Sequence, residues 1–363
     1  MVSFIKYFLS LILVSSFSFA FDVSLVRVVS NIGIPWGMAF LDNNTMLINT
    51  KDGKVILYEI EKNKLITLKN PPNIYQKGQG GLLDIQLSPN FKKDGWIYFT
   101  YSKEIHSKGV TVLARAKLQG YALHSWQELL LTNSMTNTGV HFGSRITFDD
   151  KGYLYFGVGD RGHRPNGQDI NTHAGTIMRL HLDGTIPHDN PFVETDGLDE
   201  IYSYGHRNPQ GLFYDKTRDI LFECEHGPRG GDEINIIQKG KNYGWARVSH
   251  GKEYWNFSDV GEAKSLEGMI DPLKVYIPSI APSSLIVYSG KIFKQWKGDL
   301  FLGALALKHL NHIVLDDNLE VKSQNRLFEE LDKRIRNVVE SPDGYIYFST
   351  DSGEIYKIIP KKS

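Results

Sequence analysis

The sequence has a single cysteine, Cys224, and no excess of charge of either sign. One cysteine cannot form an internal disulfide framework, nor a zinc or iron–sulfur site built on several cysteines. The 41 basic and 41 acidic side chains cancel over 363 residues, so the chain lacks the overall positive field of a general nucleic-acid binder. With 41% hydrophobic and 23% charged residues, the composition is that of a folded globular protein rather than a disordered or fibrous one.

Long apolar runs are also scarce, and the one that stands out lies at the N-terminus. Residues 1–20 read MVSFIKYFLSLILVSSFSFA, with one lysine, an apolar run over 7–14 and small residues at the end. These are the parts of a secretory signal peptide, with cleavage after Ala20. A membrane anchor and a buried helix are the alternatives, but the unbroken run is too short to cross about 30 Å of hydrocarbon. We therefore expect a periplasmic or secreted protein without stable membrane insertion, in which residues 21–363 form one domain.

Glycine and aromatic residues, in contrast, are abundant: 34 Gly, 19 Phe, 18 Tyr and 6 Trp. They occur in six loose copies of one pattern, in which an apolar strand is followed by a turn rich in Asp, Asn or Gly and then by an aromatic strand. Such turns are hairpin signals because these residues tolerate positive φ. The copies begin at Trp36, Leu82, Gly143, Asn208, Ala281 and Arg336.

Six repeats of a small antiparallel sheet favour an all-β fold, a six-bladed β-propeller of four-stranded antiparallel sheets, over a two-sheet sandwich. No single repeat can bury both its faces, so the sheets must stack around an axis and close. We expect the N-terminal strand, Val23 to Val29, to join the sheet that follows Arg336 and so close the last blade. Repeats three to five are long, and the excess should lie in loops, where propellers carry their sites.

Polar residues concentrate near the strand ends that, in a propeller, lie on one rim around the central channel. Two of them, Arg334 and Arg336, alternate along a strand and therefore face the same side. Neighbouring guanidinium groups repel unless an anion lies between them, so the pair predicts bidentate binding of ligand carboxylates. The segment from Glu225 to Glu233 lacks the spacing of a zinc site, whereas its carbonyl and carboxylate oxygens are ligands that suit calcium.

Several motifs together carry a resemblance to a known family. They are GQGGLLDIQLSP from Gly78, HFGSRITFDDKGYLYFGVGD from His141, YGHRNPQG from Tyr204, EHGPRGGDEIN from Glu225, GKNYGW from Gly240 and RIRNVVESPDGYIYFSTD from Arg334. In these stretches the sequence is similar to the soluble pyrroloquinoline-quinone (PQQ)-dependent sugar dehydrogenases, in particular to the bacterial aldose sugar dehydrogenase branch. The resemblance covers nearly the whole chain after the predicted signal peptide, and it implies a six-bladed propeller, as the repeat count does.

The resemblance implies roles for the catalytic residues. His141 matches the general base that removes the proton of the sugar's anomeric hydroxyl, which a neutral imidazole can do near neutral pH. Asp160 matches the carboxylate that orients and supports this histidine. Arg207 and Asn208 match residues beside the quinone, where the arginine can stabilise developing negative charge.

The resemblance also implies ligands for PQQ and Ca²⁺. The carbonyl groups of Gly227 and Pro228 match ligands of a calcium ion that also binds PQQ and polarises its carbonyl. Glu233 and the carbonyl of Tyr243 match ligands of a second, structural calcium. Further cofactor-binding positions are matched by Gln79, Ser279, Arg334 and Arg336.

The sequence departs from the family at two places. In the fifth repeat the family often has a cofactor-binding lysine where this chain has Ala306. Lys308 follows two positions later, on the same side of a strand, and it either reaches the quinone or faces solvent. Val140 precedes His141 where the glucose-specific branch has an acid, so the fine substrate preference does not carry over.

The expected function is therefore that of an exported quinoprotein dehydrogenase that oxidises small aldose sugars at C1 to lactones, by hydride transfer to PQQ. A calcium-dependent lactonase-like hydrolase and a non-catalytic binding propeller are the alternatives. The two arginines argue against the hydrolase, and an intact His141 with Asp160 argues against loss of catalysis. The sequence identifies neither the electron acceptor nor the physiological sugar, and it leaves open whether the protein is a monomer or a homodimer.

Overall fold

The computed structural model describes residues 23–361, which form 24 strands in six four-stranded antiparallel sheets. The predicted signal peptide lies outside the described residues. The first three blades consist of β2 (Pro35–Asp42), β3 (Thr45–Thr50), β4 (Val55–Glu59) and β5 (Lys64–Thr67); β6 (Leu82–Leu87), β7 (Trp96–Ile105), β8 (Lys108–Gln119) and β9 (Ala122–Leu131); β10 (Ile146–Phe148), β11 (Tyr153–Val158), β12 (Thr176–His181) and β13 (Ile201–Tyr204).

The remaining blades continue in chain order. They consist of β14 (Pro209–Asp215), β15 (Ile220–Glu225), β16 (Asp232–Ile237) and β17 (Lys274–Tyr276); β18 (Pro282–Val287), β19 (Leu300–Ala304), β20 (Leu310–Leu315) and β21 (Val321–Leu327); β22 (Ile335–Glu340), β23 (Ile346–Thr350), β24 (Ile355–Pro360) and β1 (Val23–Val29). The helical segments are short: α1 (Phe91–Asp94) and the 3₁₀ turns Arg164–Gln168, Lys294–Trp296 and Glu329–Leu331.

The first strand of the described chain closes the ring, as the sequence predicted. β1 pairs with β24 in blade 6, with Val23 opposite Pro360 and Arg27 opposite Tyr356. The inner strands β2, β6, β10, β14, β18 and β22 contact one another in that order, and β22 contacts β2. The six-bladed propeller is therefore confirmed, including the strand that completes its last blade.

Apolar side chains fill each of the six junctions between neighbouring blades, because alternate residues of every strand point to opposite faces of its sheet. Leu47 of blade 1 packs with Phe99 of blade 2 in one such cluster. Cys224 lies with Phe222 and Leu300 in the cluster between blades 4 and 5 and has no exposed surface. The single cysteine is therefore a small core residue.

Arg145 links all six inner strands at the centre of the ring. This buried residue precedes β10, and its guanidinium reaches one residue in each of the other five blades. The acceptors are the Trp36 carbonyl at 2.9 Å, Asp84 Oδ1 at 2.9 Å, the Gln210 carbonyl at 3.2 Å, the Ser283 carbonyl at 3.1 Å and the Arg336 carbonyl at 3.0 Å. One side chain at the axis is thus hydrogen-bonded to all five other blades.

The extra length of the middle repeats lies in loops, as predicted. Blade 3 has long connections before and after β12, and blade 4 has one between β16 and β17. The loop after β11 lies on the rim where the inner strands begin, and the loop after β16 reaches this rim through the hydrogen bond between Trp245 and Asp160. Over residues 23–361, no helix is long and apolar enough to cross a membrane.

Candidate active site

A polar cavity of about 310 Å³ lies at the end of the channel where the inner strands begin. Pockets of roughly 300 Å³ and above are those that hold small molecules and cofactors. Four residues predicted from the sequence line this cavity: Gln79, Asn208, Arg334 and Arg336. Four other residues, to which no role had been assigned, line it as well: Trp36, Lys51, His226 and Asp351.

His141 and Asp160 form a hydrogen-bonded pair, with 2.6 Å between Nδ1 and Oδ1. Asp160 is 1% exposed and also accepts hydrogen bonds from Trp245 Nε1 and the Gly162 amide, both at 2.7 Å. Burial alone would raise the pKa of Asp160, but its hydrogen bonds to His141 and Gly162 outweigh burial and hold that pKa below its ordinary value. An ionised carboxylate at this position accepts a hydrogen bond from Nδ1, which leaves the lone pair of a neutral imidazole on Nε2.

The backbone around His141 fixes the position of its imidazole. Its φ is 54°, in the left-handed region that residues other than glycine seldom adopt, and its amide donates to Gln79 Oε1 at 2.7 Å. Gly159 packs directly against it, since a Cβ at 159 would lie 2.6 Å from the His141 carbonyl oxygen and 2.9 Å from its Cβ. Glycine at 159 therefore permits the close approach that brings Asp160 to the imidazole.

Arg207 and Asn208 are held beside this pair by one carboxylate. The backbone amides of both residues donate to Glu225 Oε2, at 2.5 and 3.1 Å. Arg207 Nη1 donates to the His226 carbonyl at 3.0 Å, and the guanidinium lies 5.3 Å from the centre of the Trp245 ring. Trp245 thus contacts both the arginine and Asp160, so the three predicted catalytic residues belong to one hydrogen-bonded and stacked group.

His226 is a neutral member of the cavity wall. Burial, followed by the nearby charge of Arg207, lowers the pKa of His226 to about 3. Its Nε2 lies 2.8 Å from the Pro282 carbonyl, to which it donates. His226 therefore adds a hydrogen-bonding group to the wall but no positive charge.

Arg334 and Arg336 share a carboxylate of the chain itself. Arg336 Nε and Nη2 donate to the two oxygens of Asp351 at 2.7 and 2.9 Å, and Arg334 Nε donates to Asp351 Oδ2 at 2.8 Å. Although burial opposes ionisation, these hydrogen bonds and charges hold the pKa of Asp351 below its ordinary value. The inference that repulsion between the arginines requires a ligand anion was therefore wrong, because Asp351 supplies the anion. Carboxylate binding by the pair stays a prediction.

Two predicted cofactor-binding residues lie outside the cavity. Lys308 Nζ pairs with Asp332 Oδ1 at 2.8 Å, and both side chains are exposed; of the two alternatives for this lysine, the structure favours solvent. Ser279 donates to Asp232 Oδ2 at 2.6 Å and does not line the cavity. Through Asp232, which also accepts the Gly227 amide, Ser279 is connected to the neighbouring loop.

The loop of Gly227 and Pro228 is fixed by a buried aspartate. Asp232 Oδ1 accepts the Gly227 amide at 2.9 Å, while the Pro228 carbonyl accepts the amide of Lys252 at 2.9 Å. The Gly227 carbonyl lies 3.4 Å from Arg207 Nη1. Each of these carbonyl oxygens keeps a second lone pair, and such hard, neutral oxygens fit Ca²⁺. The predicted calcium ligands are therefore chemically suitable.

Glu233 belongs to a buried acidic compartment in blade 4. Glu225 lies opposite Glu233 across β15 and β16, and Glu223 faces the same side two positions away. Burial and the neighbouring charge of Glu225 raise the pKa of Glu233 well above its ordinary value. In this compartment, Glu223 Oε1 and Asn235 Oδ1 are buried and have no hydrogen-bond partner among the described residues.

This compartment fits a cation. A void of about 10 Å³ is lined by Glu225, Glu233 and Tyr243, which is the space of one water-sized sphere. Buried carboxylates are costly unless they are protonated, paired or bound to a metal. A single divalent ion in this void would have the hard oxygen ligands that calcium prefers.

Sequence reasoning missed Asp351 and Trp245 for different reasons. Asp351 ends the motif that begins at Arg334, and β22 pairs with β23 so that Ile335 lies opposite Thr350. Applying that hairpin register would have placed the aspartate beside the arginines. Trp245 is 85 residues from Asp160 in the sequence, and no local pattern connects the two.

The fold and the site define a class of protein: a six-bladed propeller enzyme with a His–Asp pair beside a cavity lined by cations. The sequence model of the glucose/sorbosone dehydrogenase family matches residues 32–357. The chain belongs to this family and is an oxidoreductase. The resemblance identified from the motifs is thereby confirmed.

Relatives and solved structures agree with this assignment. The chain is 40% identical over 342 residues to the aldose sugar dehydrogenase YliI of Escherichia coli, covering 90% of each protein. The apo-form crystal structure of the soluble aldose sugar dehydrogenase from Escherichia coli superposes with a TM-score of 0.89 at 36% identity, covering 93% of this chain and 99% of that one. The PQQ-bound aldose sugar dehydrogenase of Streptomyces coelicolor superposes with a TM-score of 0.75 at 25% identity, covering 93% and 98%.

Proposed function

We propose that this protein is an exported, PQQ-dependent aldose sugar dehydrogenase that oxidises aldoses at C1 to lactones. The observation that carries the proposal is the His141–Asp160 pair, 2.6 Å apart, beside a cavity lined by three cationic side chains. The cavity suits an anionic organic cofactor, and the pair supplies a base. The PQQ-bound structure of a relative supports the choice of cofactor.

His141 would act as the general base. Its Nε2 would take the proton of the anomeric hydroxyl, and the chemistry that PQQ would supply when bound is that of a hydride acceptor for C1. Asp160 would stabilise the imidazolium that forms, because the ionised carboxylate lies on Nδ1. Arg207, fixed by Glu225 and Trp245, would stabilise negative charge that develops beside it.

The remaining wall residues would hold the cofactor. Gln79, Asn208, Arg334 and Arg336 offer amide and guanidinium donors, which suit carbonyl and carboxylate oxygens. The carbonyls of Gly227 and Pro228 would bind a calcium ion, which would act as a Lewis acid on PQQ. A second calcium ion would occupy the acidic compartment of Glu233 and Tyr243, where its role would be structural.

Export is proposed on the basis of residues 1–20, with cleavage after Ala20 and a location in the periplasm or outside the cell. Small aldose sugars are the proposed substrates, and the protein would work as a monomer or a homodimer.

Reconstitution tests the proposed function. Purified apoprotein should reduce an artificial dye in the presence of an aldose only when both PQQ and Ca²⁺ are added. His141→Ala should abolish dye reduction but retain PQQ binding. Hydrolysis of lactones without PQQ would instead indicate the lactonase, whereas absence of both binding and turnover would indicate a propeller without this chemistry.

A further inference from the structure

The charges that line the cavity do not balance. Lys51, Arg334 and Arg336 are cationic, and Asp351 is the one acid among the described lining residues. His226 donates through Nε2 to the Pro282 carbonyl, and a neutral imidazole makes this hydrogen bond without adding charge. The wall therefore carries two more positive than negative charges near neutral pH. Asp351 is shared between the two arginines. The excess positive charge therefore lies on the lysine and on the guanidinium nitrogens that do not contact Asp351.

Lys51 enters this wall from blade 1, directly after β3. Its Nζ donates to the Gly78 carbonyl at 2.5 Å, which leaves two of its three N–H groups for other acceptors. It makes no ion pair with a carboxylate of the described chain, whereas Lys54, three residues later, lies 3.0 Å from Asp52 Oδ2. Lys51 is thus a cation of the cavity wall that donates one hydrogen bond to a neutral carbonyl and forms no ion pair with a described carboxylate.

The backbone and stem of Lys51 are held in place. Its amide donates to the Ile34 carbonyl at 2.9 Å, and its carbonyl accepts the amide of Leu82 at 3.1 Å. Gly81 packs against it so closely that a Cβ at 81 would lie 2.2 Å from the Lys51 carbonyl oxygen and 2.9 Å from its Cγ. The hydrogen bond from Nζ to the Gly78 carbonyl already restricts the side chain, so Lys51 loses less rotamer freedom on binding than a lysine without such a bond does.

The electrostatic surroundings favour an incoming anion. Burial lowers the pKa of Lys51, and the positive charge of Arg336 lowers it further, while Asp351 acts in the opposite direction. An ammonium that is partly desolvated and faces another cation is stabilised by any anion that comes between them. A rigid ligand with carboxylates on more than one edge could contact the arginine pair and the lysine at once.

We propose that Lys51 is a third cationic ligand of the cofactor, and that it binds a carboxylate of PQQ through the ammonium N–H groups left free by Gly78. This inference rests on the proposed function, because it assumes that PQQ occupies the cavity. It assigns cofactor binding to blade 1, in addition to the arginines of blade 6. It also accounts for Lys308, which is paired with Asp332 at the surface and need not reach the cofactor.

The test is the binding of PQQ to apoprotein variants, measured by equilibrium titration with the quenching of tryptophan fluorescence as the signal. Lys51→Gln removes the charge but keeps a donor for the Gly78 carbonyl, Lys51→Arg keeps the charge, and Lys308→Gln removes an exposed lysine as a matched control. We expect Lys51→Gln to raise the Kd for PQQ about tenfold or more, the usual effect of losing a charge-assisted hydrogen bond. Lys51→Arg should retain most of the affinity, and Lys308→Gln should leave it unchanged.

The trimethyl ester of PQQ separates carboxylate binding from a positioning role. Lys51 also reaches His141 indirectly, through the Gly78–Gln79 segment and the Gln79–His141 hydrogen bond. If it binds a carboxylate, the preference of the wild-type protein for PQQ over the ester should shrink in Lys51→Gln. An unchanged preference, or an unchanged Kd with slower turnover, would overturn the inference. Failure of the wild-type protein itself to bind PQQ would instead refute the proposed function, and this inference with it.

Discussion

Asp160 Oδ1 lies 2.6 Å from His141 Nδ1, and the second oxygen of the same carboxylate is held by Trp245 Nε1 at 2.7 Å. The carboxylate is therefore clamped from both sides and cannot turn away from the imidazole. The two residues are 19 positions apart in the sequence and lie on different loops of blade 3. Their alignment depends on Gly159, which lets these loops approach each other.

Asp160→Asn should disable His141 as a base without weakening the binding of PQQ in the cavity. The amide is uncharged and can donate to Nδ1, so the proton would move to Nε2 and the lone pair needed for catalysis would be lost. We expect kcat to fall by about two to four orders of magnitude, while the Kd for PQQ changes little. Trp245→Phe keeps the carboxylate but removes one hydrogen bond, and its kcat should be intermediate. A strong loss of PQQ binding in Asp160→Asn would contradict this assignment.

Arg145→Met should destabilise the whole ring. Arg145 is buried with Asp84, and the substitution would leave that carboxylate uncompensated while removing hydrogen bonds to all five other blades. Breaking a buried pair in this way costs about 3–5 kcal/mol in unfolding free energy. Urea denaturation followed by circular dichroism would measure the loss.

Two further variants test whether the effect comes from the buried pair. Arg145→Met combined with Asp84→Asn removes the unpaired charge and should recover part of the lost stability. Lys103→Met removes one partner of the exposed Lys103–Glu128 pair and should cost no more than about 1 kcal/mol. Equal losses in Arg145→Met and Lys103→Met would refute a special role for the central arginine.

The fold was predictable because the sequence features that specify each blade lie close together along the chain. Each blade is a run of hairpins whose turns are marked by Gly, Asp and Asn, and the six marks in the sequence correspond to the six sheets. The closing strand was predictable as well, since a β-strand before the first full repeat must pair with an open edge.

The site was only partly predictable, because its contacts connect distant blades. The His141–Asp160 pair followed from family motifs, but Trp245 and Lys51 reach the site from loops that no sequence periodicity relates to it. The arginine pair shows most clearly what could not be predicted from the sequence. The alternation of Arg334 and Arg336 predicted that an anion lies between them, whereas only the pairing of β22 with β23 shows that Asp351 is that anion.

His226 should make stability depend on pH in mildly acidic solution. Its folded-state pKa of about 3 lies below the ordinary value of about 6.5, so the unfolded chain takes up a proton where the folded protein does not. Stability is therefore lost as pH falls from about 6.5 towards 3, by up to about 2 kcal/mol at pH 5 from this group. Thermal unfolding between pH 7 and 5 would measure the slope.

His226→Gln should flatten that slope. The glutamine amide can still donate to the Pro282 carbonyl, but it takes up no proton. His124→Gln is the control, since His124 is exposed on β9, and this variant should leave the slope unchanged. If His226→Gln and the wild-type protein lose stability in parallel on acidification, other buried groups cause the loss and His226 does not.

Removal of divalent ions should destabilise the protein through the acidic compartment of blade 4. A cation that binds only the folded state stabilises it by an amount that grows with its free concentration, about 2.7 kcal/mol at a hundredfold excess over Kd. Treatment with EGTA should therefore lower the midpoint of thermal unfolding, and Ca²⁺ should restore it more effectively than Mg²⁺, which demands stricter octahedral geometry. Glu233→Gln should abolish this calcium dependence, whereas Glu340→Gln on blade 6 should preserve it. If EGTA has no effect and Glu233→Gln is more stable than the wild-type protein, the buried carboxylates are neutralised by protons and hold no metal.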